Sequence, residues 1–145
     1  MATIETLISN LSSVDFNNII EESITDTSQQ LVQAQRNQML HGKNVFGELI
    51  GKYRSEPYAR KKYKMNSLAG FGNVDLRLEN NFQKDIFVDP RDKSVVIDSG
   101  NEKTEKLIEK YGKEIFGLNK DYASGYSTND MGPVATKKII QQIHK

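Results

Sequence analysis

Apolar residues at Ile4, Leu7, Ile8 and Leu11 recur with the i, i+3, i+4, i+7 spacing of a short amphipathic helix. Ser12 and Ser13 interrupt it, and Ser13 or Asp15 is placed to cap a second helix. The second helix is predicted to be long. Phe16, Ile19, Ile20, Ile24, Thr27, Leu31, Ala34 and Gln38 follow one drifting face until His41-Gly42, where Gly42 supplies a left-handed cap. Its polar positions are mostly Gln, Asn, Ser and Thr. That composition suits contact with a neighbouring chain as well as a thinly solvated face.

Gly42, Gly47, Gly51, Pro57, Gly70 and Gly72 punctuate residues 42–73 as an extended excursion. Ser55 to Lys64 is a helix candidate within it, with Pro57 in the first turn. Val74-Asp75-Leu76-Arg77-Leu78 alternates apolar and polar, which predicts a strand. Phe82, Ile86, Phe87 and Val88 face Val95, Val96 and Ile97 across an Asp-Pro turn, Asp89 to Lys93, and predict a β-hairpin with an exposed tip.

Residues 102–112 pair Glu and Lys at helical spacing around Leu107, Ile108 and Tyr111, and Gly112 caps them. Ile115, Phe116 and Leu118 read as an apolar plug for the core. Residues 119–132, polar and rich in Gly and Ser, read as a loop before a last helix opened by Pro133. The order predicts an α+β fold: N-terminal helices including one long helix, a small antiparallel sheet with a β-hairpin, and two C-terminal helices. The expected division is an acidic helical arm with the start of the long helix at 1–30, and the α+β domain at 31–145.

Charge changes this picture. Among 145 residues there are 20 Lys and Arg against 19 Asp and Glu, which excludes a bulk polycation. The balance is uneven, however. Residues 1–30 carry Glu5, Asp15, Glu21, Glu22 and Asp26 and no Lys or Arg, so the remainder sums to +6. Lys52, Arg54, Arg60, Lys61, Lys62 and Lys64 cluster against Glu56 alone. An acidic end and a basic middle suit head-to-tail contact between copies, with Ile4, Leu7, Ile8 and Leu11 as docking candidates. Tyr53, Tyr58 and Tyr63 recur among the bases, so the same segment is a candidate for nucleic acid, with cations on phosphates and tyrosines on bases.

Other chemistry finds little footing. Zero Cys removes disulfides, thiol nucleophiles and thiolate metal sites, and two His cannot build a three-His centre. His41, beside the glycine cap, reads as a surface residue favoured by the helix C-terminal dipole. Gly70-Phe71-Gly72 lacks the Gly-Lys-Ser/Thr of a phosphate loop, and no Gly-x-Ser-x-Gly occurs. No catalytic, cofactor or metal residues are therefore assigned, and an enzyme is not expected. No apolar run approaches the roughly 18 residues of a membrane span, and the acid-bearing N-terminus does not read as a secretory signal.

Four pieces of sequence resemble tailed-phage neck or tail-completion proteins of the kind found in phages and prophages of gut Bacteroidetes. They are Gln38 to Lys43 with Gly47 to Tyr53, then Tyr58-Ala59-Arg60-Lys61, then Val74 to Leu78 with Phe82, then Leu107 to Leu118. They occur in order across residues 31–145, and the first 30 residues lie outside them. Where that family carries Thr-Gly before the Phe, this chain has Asn80-Asn81, which also tolerates left-handed backbone. The resemblance implies a virion component without catalysis, made in the host cytoplasm. It implies a homo-oligomeric ring of roughly six or twelve copies between the portal side of the head and the tail. Portal, connector or tail proteins are the implied neighbours, together with non-specific contact with packaged DNA. The competing expectation is an accessory nucleic-acid-binding protein that uses Lys52 to Lys64.

Overall fold

The computed structural model describes residues 3–77, 82–91 and 94–144. It is an α+β fold in which helices surround one antiparallel β-hairpin. Helix α1 (Ile4–Ser12) starts where the Thr3 hydroxyl accepts the Thr6 N–H. Helix α2 (Phe16–Asp26) starts where the Asp15 carboxylate accepts the Asn18 N–H, so Asp15 is the cap.

The long helix is present as two segments, α2 and α3 (Ser28–Leu40), which meet at Thr27. The cause is local. The Ser23 hydroxyl donates to the Ile19 carbonyl at 2.6 Å, and the Thr27 hydroxyl donates to the Ser23 carbonyl at 2.7 Å. Such back-bonding bends helices. Thr27 Oγ1 also lies 2.7 Å from the Tyr126 hydroxyl, which holds the bend against the C-terminal half. At the far end Gly42 has φ +72°, with Gly42 N–H bound to Met39 O and Lys43 N–H to Gln38 O. These two bonds are a Schellman cap.

Helix α4 (Glu56–Met65) has Ser55 as its cap and Pro57 in its first turn. The strand expected at Val74 to Leu78 does not form. Asn73 makes a single bridge to Lys52, and Leu76 takes a left-handed φ of 55°. Val74, Asp75 and Leu76 are all buried in succession, which a one-faced strand cannot arrange. Leu78 and Glu79-Asn80-Asn81 lie outside the described residues.

Strands β1 (Ile86–Arg91) and β2 (Ser94–Ser99) form the predicted hairpin, with Val88 opposite Ile97 and Arg91 opposite Ser94. Asp89, Pro90 and Arg91 are strand residues rather than tip, and Asp92 and Lys93 lie outside the described residues. Phe82 sits in a 3-10 turn ahead of β1 and is fully buried. Phe87, expected in the core, is 46 % exposed, because it points to the open face of a sheet with only two strands.

Helix α5 (Thr104–Tyr111) ends at Gly112, φ +91°. The loop expected at 119–132 is instead helical: α6 (Lys120–Tyr126), a π turn (Ser127–Met131) and α7 (Gly132–Ile143) make one bent helix. Asn119 caps it by accepting the Asp121 and Tyr122 N–H groups. A Cβ on Gly132 would stand 2.5 Å from Ser127 O, so the residue that read as a loop marker permits the wide turn.

The main core gathers Val32, Met39, Ile50, Val74, Leu76, Phe82, Ile86 and Ile115. A second cluster joins Val14 and Ile19 to Ala135 of α7. Two uncharged polar residues of α3, Gln35 and Gln38, are buried and bond within this chain, while Gln29, Gln30, Gln33 and Asn37 are exposed. Gln35 accepts the Gly117 N–H at 2.9 Å and donates to Ile115 O at 3.2 Å. Gln38 accepts the Asn119 N–H at 2.7 Å and donates to Gly117 O at 2.8 Å. Two buried amides thus satisfy the backbone of the Ile115 to Asn119 plug. Among the described residues no helix is long and apolar enough to cross a membrane.

Candidate functional site

Helix α4 sorts the basic segment into three environments. Ala59 and Lys62, three residues apart, face inward. Lys62 is therefore not a surface cation: it is 5 % exposed, and its ammonium lies 2.8 Å from Asp75 Oδ1 and also donates to Arg77 O. Arg60, Lys61 and Lys64 form the outward face of α4. Arg60 pairs with Glu56 at 2.6 Å, but both side chains are open to water, so the pair adds little. Tyr58 and Met65 flank these cations on one side, and Tyr63, edge-on to Phe71, on the other.

Lys52 and Arg54 belong to a third environment, a cleft of about 380 Å³ between the start of α4 and the end of α5. Its walls carry Lys52, Tyr53, Arg54 and Tyr58 on one side and Lys110 and Tyr111 on the other. Val74, Leu76 and Leu107 form the floor. Tyr53 and Tyr58 meet edge to face with centroids 5.0 Å apart, and Lys110 Nζ stands 5.2 Å over the Tyr111 ring. Gly51 is required here, since a Cβ would come within 2.9 Å of Tyr111 Cε1. The Tyr53 hydroxyl donates to Asp75 Oδ1 at 3.3 Å. Burial, then the Asp75 charge, push the Tyr53 phenol far above its ordinary value, so it stays neutral. Among the described residues no acid lines the cleft. It combines apolar ring surface with positive charge, which suits an anion carrying a planar or apolar part.

The N-terminal docking candidates divide. Leu7 is half-buried on the side of α1 that meets α7, where Asn10 donates to Ile143 O at 2.7 Å. Ile4, Ile8 and Leu11, on the adjoining part of the same stripe, stay in solvent, with Ile4 72 % and Ile8 62 % exposed. The acids of this end are only partly free, because Lys138 of α7 sits 3.1 Å from Asp26 and 3.5 Å from Glu22. Glu5, Asp15 and Glu21 make no ion pair among the described residues.

Four further positions were not among the site residues expected from the sequence. Lys110 and Tyr111 complete the cleft from about fifty residues further along the chain. Phe46 is 70 % exposed at the tip of a short loop, where Asn44 Oδ1 accepts the Phe46 and Glu48 N–H groups and Gly47 takes φ +78°. The Asn44-x-x-Gly47 turn was the available signal. His41 is half-buried rather than on the surface, with Nδ1 2.7 Å from Asn37 O and 3.0 Å from the Tyr122 hydroxyl. Among the described residues no three His, Asp or Glu side chains gather as a metal site. The chain matches no family model, no curated protein and no solved structure.

Proposed function

We propose that this chain is a non-enzymatic structural subunit of a phage virion. It assembles into a homo-oligomeric ring of roughly six or twelve copies in the head–tail connector, neck or tail-completion region. The virion placement rests on the resemblance across residues 31–145. The assembly part rests on one observation: α1 is fastened to α7 by its Leu7–Asn10 edge yet turns Ile4, Ile8 and Leu11 to solvent. An isolated helix of about ten residues is marginal in water, so one fixed in place with its apolar ridge outward is a preformed contact.

A ring needs two different surfaces on each subunit. The α1 ridge is one. The outward cations of α4 with Tyr63, Phe71 and Leu68 offer the second, in an arrangement that favours correct pairing by charge. Native mass spectrometry of the full chain tests the reading. A closed species with a single copy number is the expected result. Ile8→Asp with Leu11→Asp should reduce it to a monomer that keeps its helical circular-dichroism spectrum and unfolds cooperatively, below the ring by the association it has lost. A chain that stays monomeric at tens of micromolar, or rings that survive both substitutions, would overturn it.

A further inference from the structure

We propose that the cleft between Tyr58 and Lys110 binds a nucleotide unit whose base is unstacked. This site is independent of the ring reading and joins two segments about fifty residues apart in sequence. A nucleotide is a planar ring with an anionic group beside it, and the cleft offers both complements. Tyr58 is 43 % exposed and stands edge-on to Tyr53, which leaves ring surface free for a base. Lys52, Arg54 and Lys110 border the same space, and among the described residues no acid in the lining opposes them.

The supports of the cleft are built rather than incidental. Tyr53 is pinned by its hydroxyl to Asp75, which is itself held by Lys62 and by the Asn66 amide at 2.9 Å. Tyr111 lies against Gly51, where any side chain would displace it. A volume of about 380 Å³ falls in the range of small-molecule sites. A duplex keeps its bases stacked inside and can offer this cleft only phosphates. An acidic peptide would be served equally by the outward cations of α4 and has no use for ring faces.

Fluorescence anisotropy decides it, with the full chain and a labelled oligothymidylate of about twelve nucleotides at low salt. The expected result is saturable binding that a duplex of equal length does not match. Tyr58→Ala should weaken it by about tenfold to a hundredfold. Lys110→Gln should weaken it and flatten the salt slope by about 0.7, whereas Lys64→Gln, outside the cleft, should leave it within about twofold. Competition by thymidine monophosphate would assign the site to free nucleotides as well as strands, and its absence to strands alone; both sustain the proposal. Tyr58→Leu keeps the apolar contact without the ring, so it separates stacking from folding should Tyr58→Ala melt early. Equal binding of the duplex, equal binding of a polyglutamate peptide, indifference to both Tyr58 variants, or no binding by any probe would each overturn the site.

Discussion

Lys62 Nζ lies 2.8 Å from Asp75 Oδ1, with the two side chains 6 % and 2 % exposed, so a residue read as surface charge is the staple of the fold. Asp75 also accepts the Asn66 amide, the Arg77 N–H and the Tyr53 hydroxyl. The pair ties α4 to the Val74 to Arg77 segment and, through Tyr53, to the cleft wall. Lys62→Ala should cost about 3–5 kcal/mol, because it strands a buried carboxylate. Lys61→Ala, one position away and exposed, should stay within about 0.5 kcal/mol. Urea denaturation of the two variants measures the contrast.

Two glycines with the same backbone sign should respond differently. At Gly42 a Cβ would stand 3.1 Å from Ala69 Cβ and 3.2 Å from Val74 O, besides the strain of φ +72°. At Gly47 there is only the strain, with nothing within 4 Å. Gly47→Ala should cost about 1–2 kcal/mol and Gly42→Ala clearly more. Thermal unfolding ranks them.

The hairpin offers a parallel test. Phe82→Ala, at a fully buried position packed 6.0 Å from the Phe116 ring, should cost about 3–5 kcal/mol. Phe87→Ala removes a side chain that is already half in water and should cost less than about 1 kcal/mol. Similar losses at both would place Phe87 in the core after all.

Alkaline pH should unfold the protein before it unfolds a tyrosine-to-phenylalanine variant. Burial raises the phenols of Tyr53, Tyr122 and Tyr126 above their ordinary value. The Asp26 partner likewise raises Lys138. Above about pH 10 the unfolded chain releases tyrosine protons that the folded chain keeps, so stability falls as pH rises. The contribution is complete below that pH. Tyr53→Phe should flatten the decline, read as the urea midpoint from about pH 8 to about pH 11.

The elements legible in the sequence are those whose cause is local. Ser55 and Pro57 start α4, and Gly42 and Gly112 end α3 and α5, because caps and left-handed turns are decided within a few residues. The paired apolar runs that put Val88 opposite Ile97 likewise specified the hairpin.

Tertiary structure decided the rest. Alternation at Val74 to Leu78 has the form of a strand, but Lys62 pulls Asp75 inward, so Val74, Asp75 and Leu76 are all buried. Residues 119–132 have the composition of a loop, but Tyr126 seated on Thr27 makes them helical. The candidate site shows the same division. Lys52, Arg54 and the tyrosines stood out as a basic, aromatic segment, in which Lys62 read as one more surface cation. What no local pattern contains is that Lys62 turns inward onto Asp75, that Lys110 and Tyr111 close the other wall, or that Gln35 and Gln38 hold the plug about eighty residues away. The physical reason is that residue type and spacing determine backbone preference and charge. Which charges meet water and which meet each other depends on contacts that exist only after the distant segments have packed.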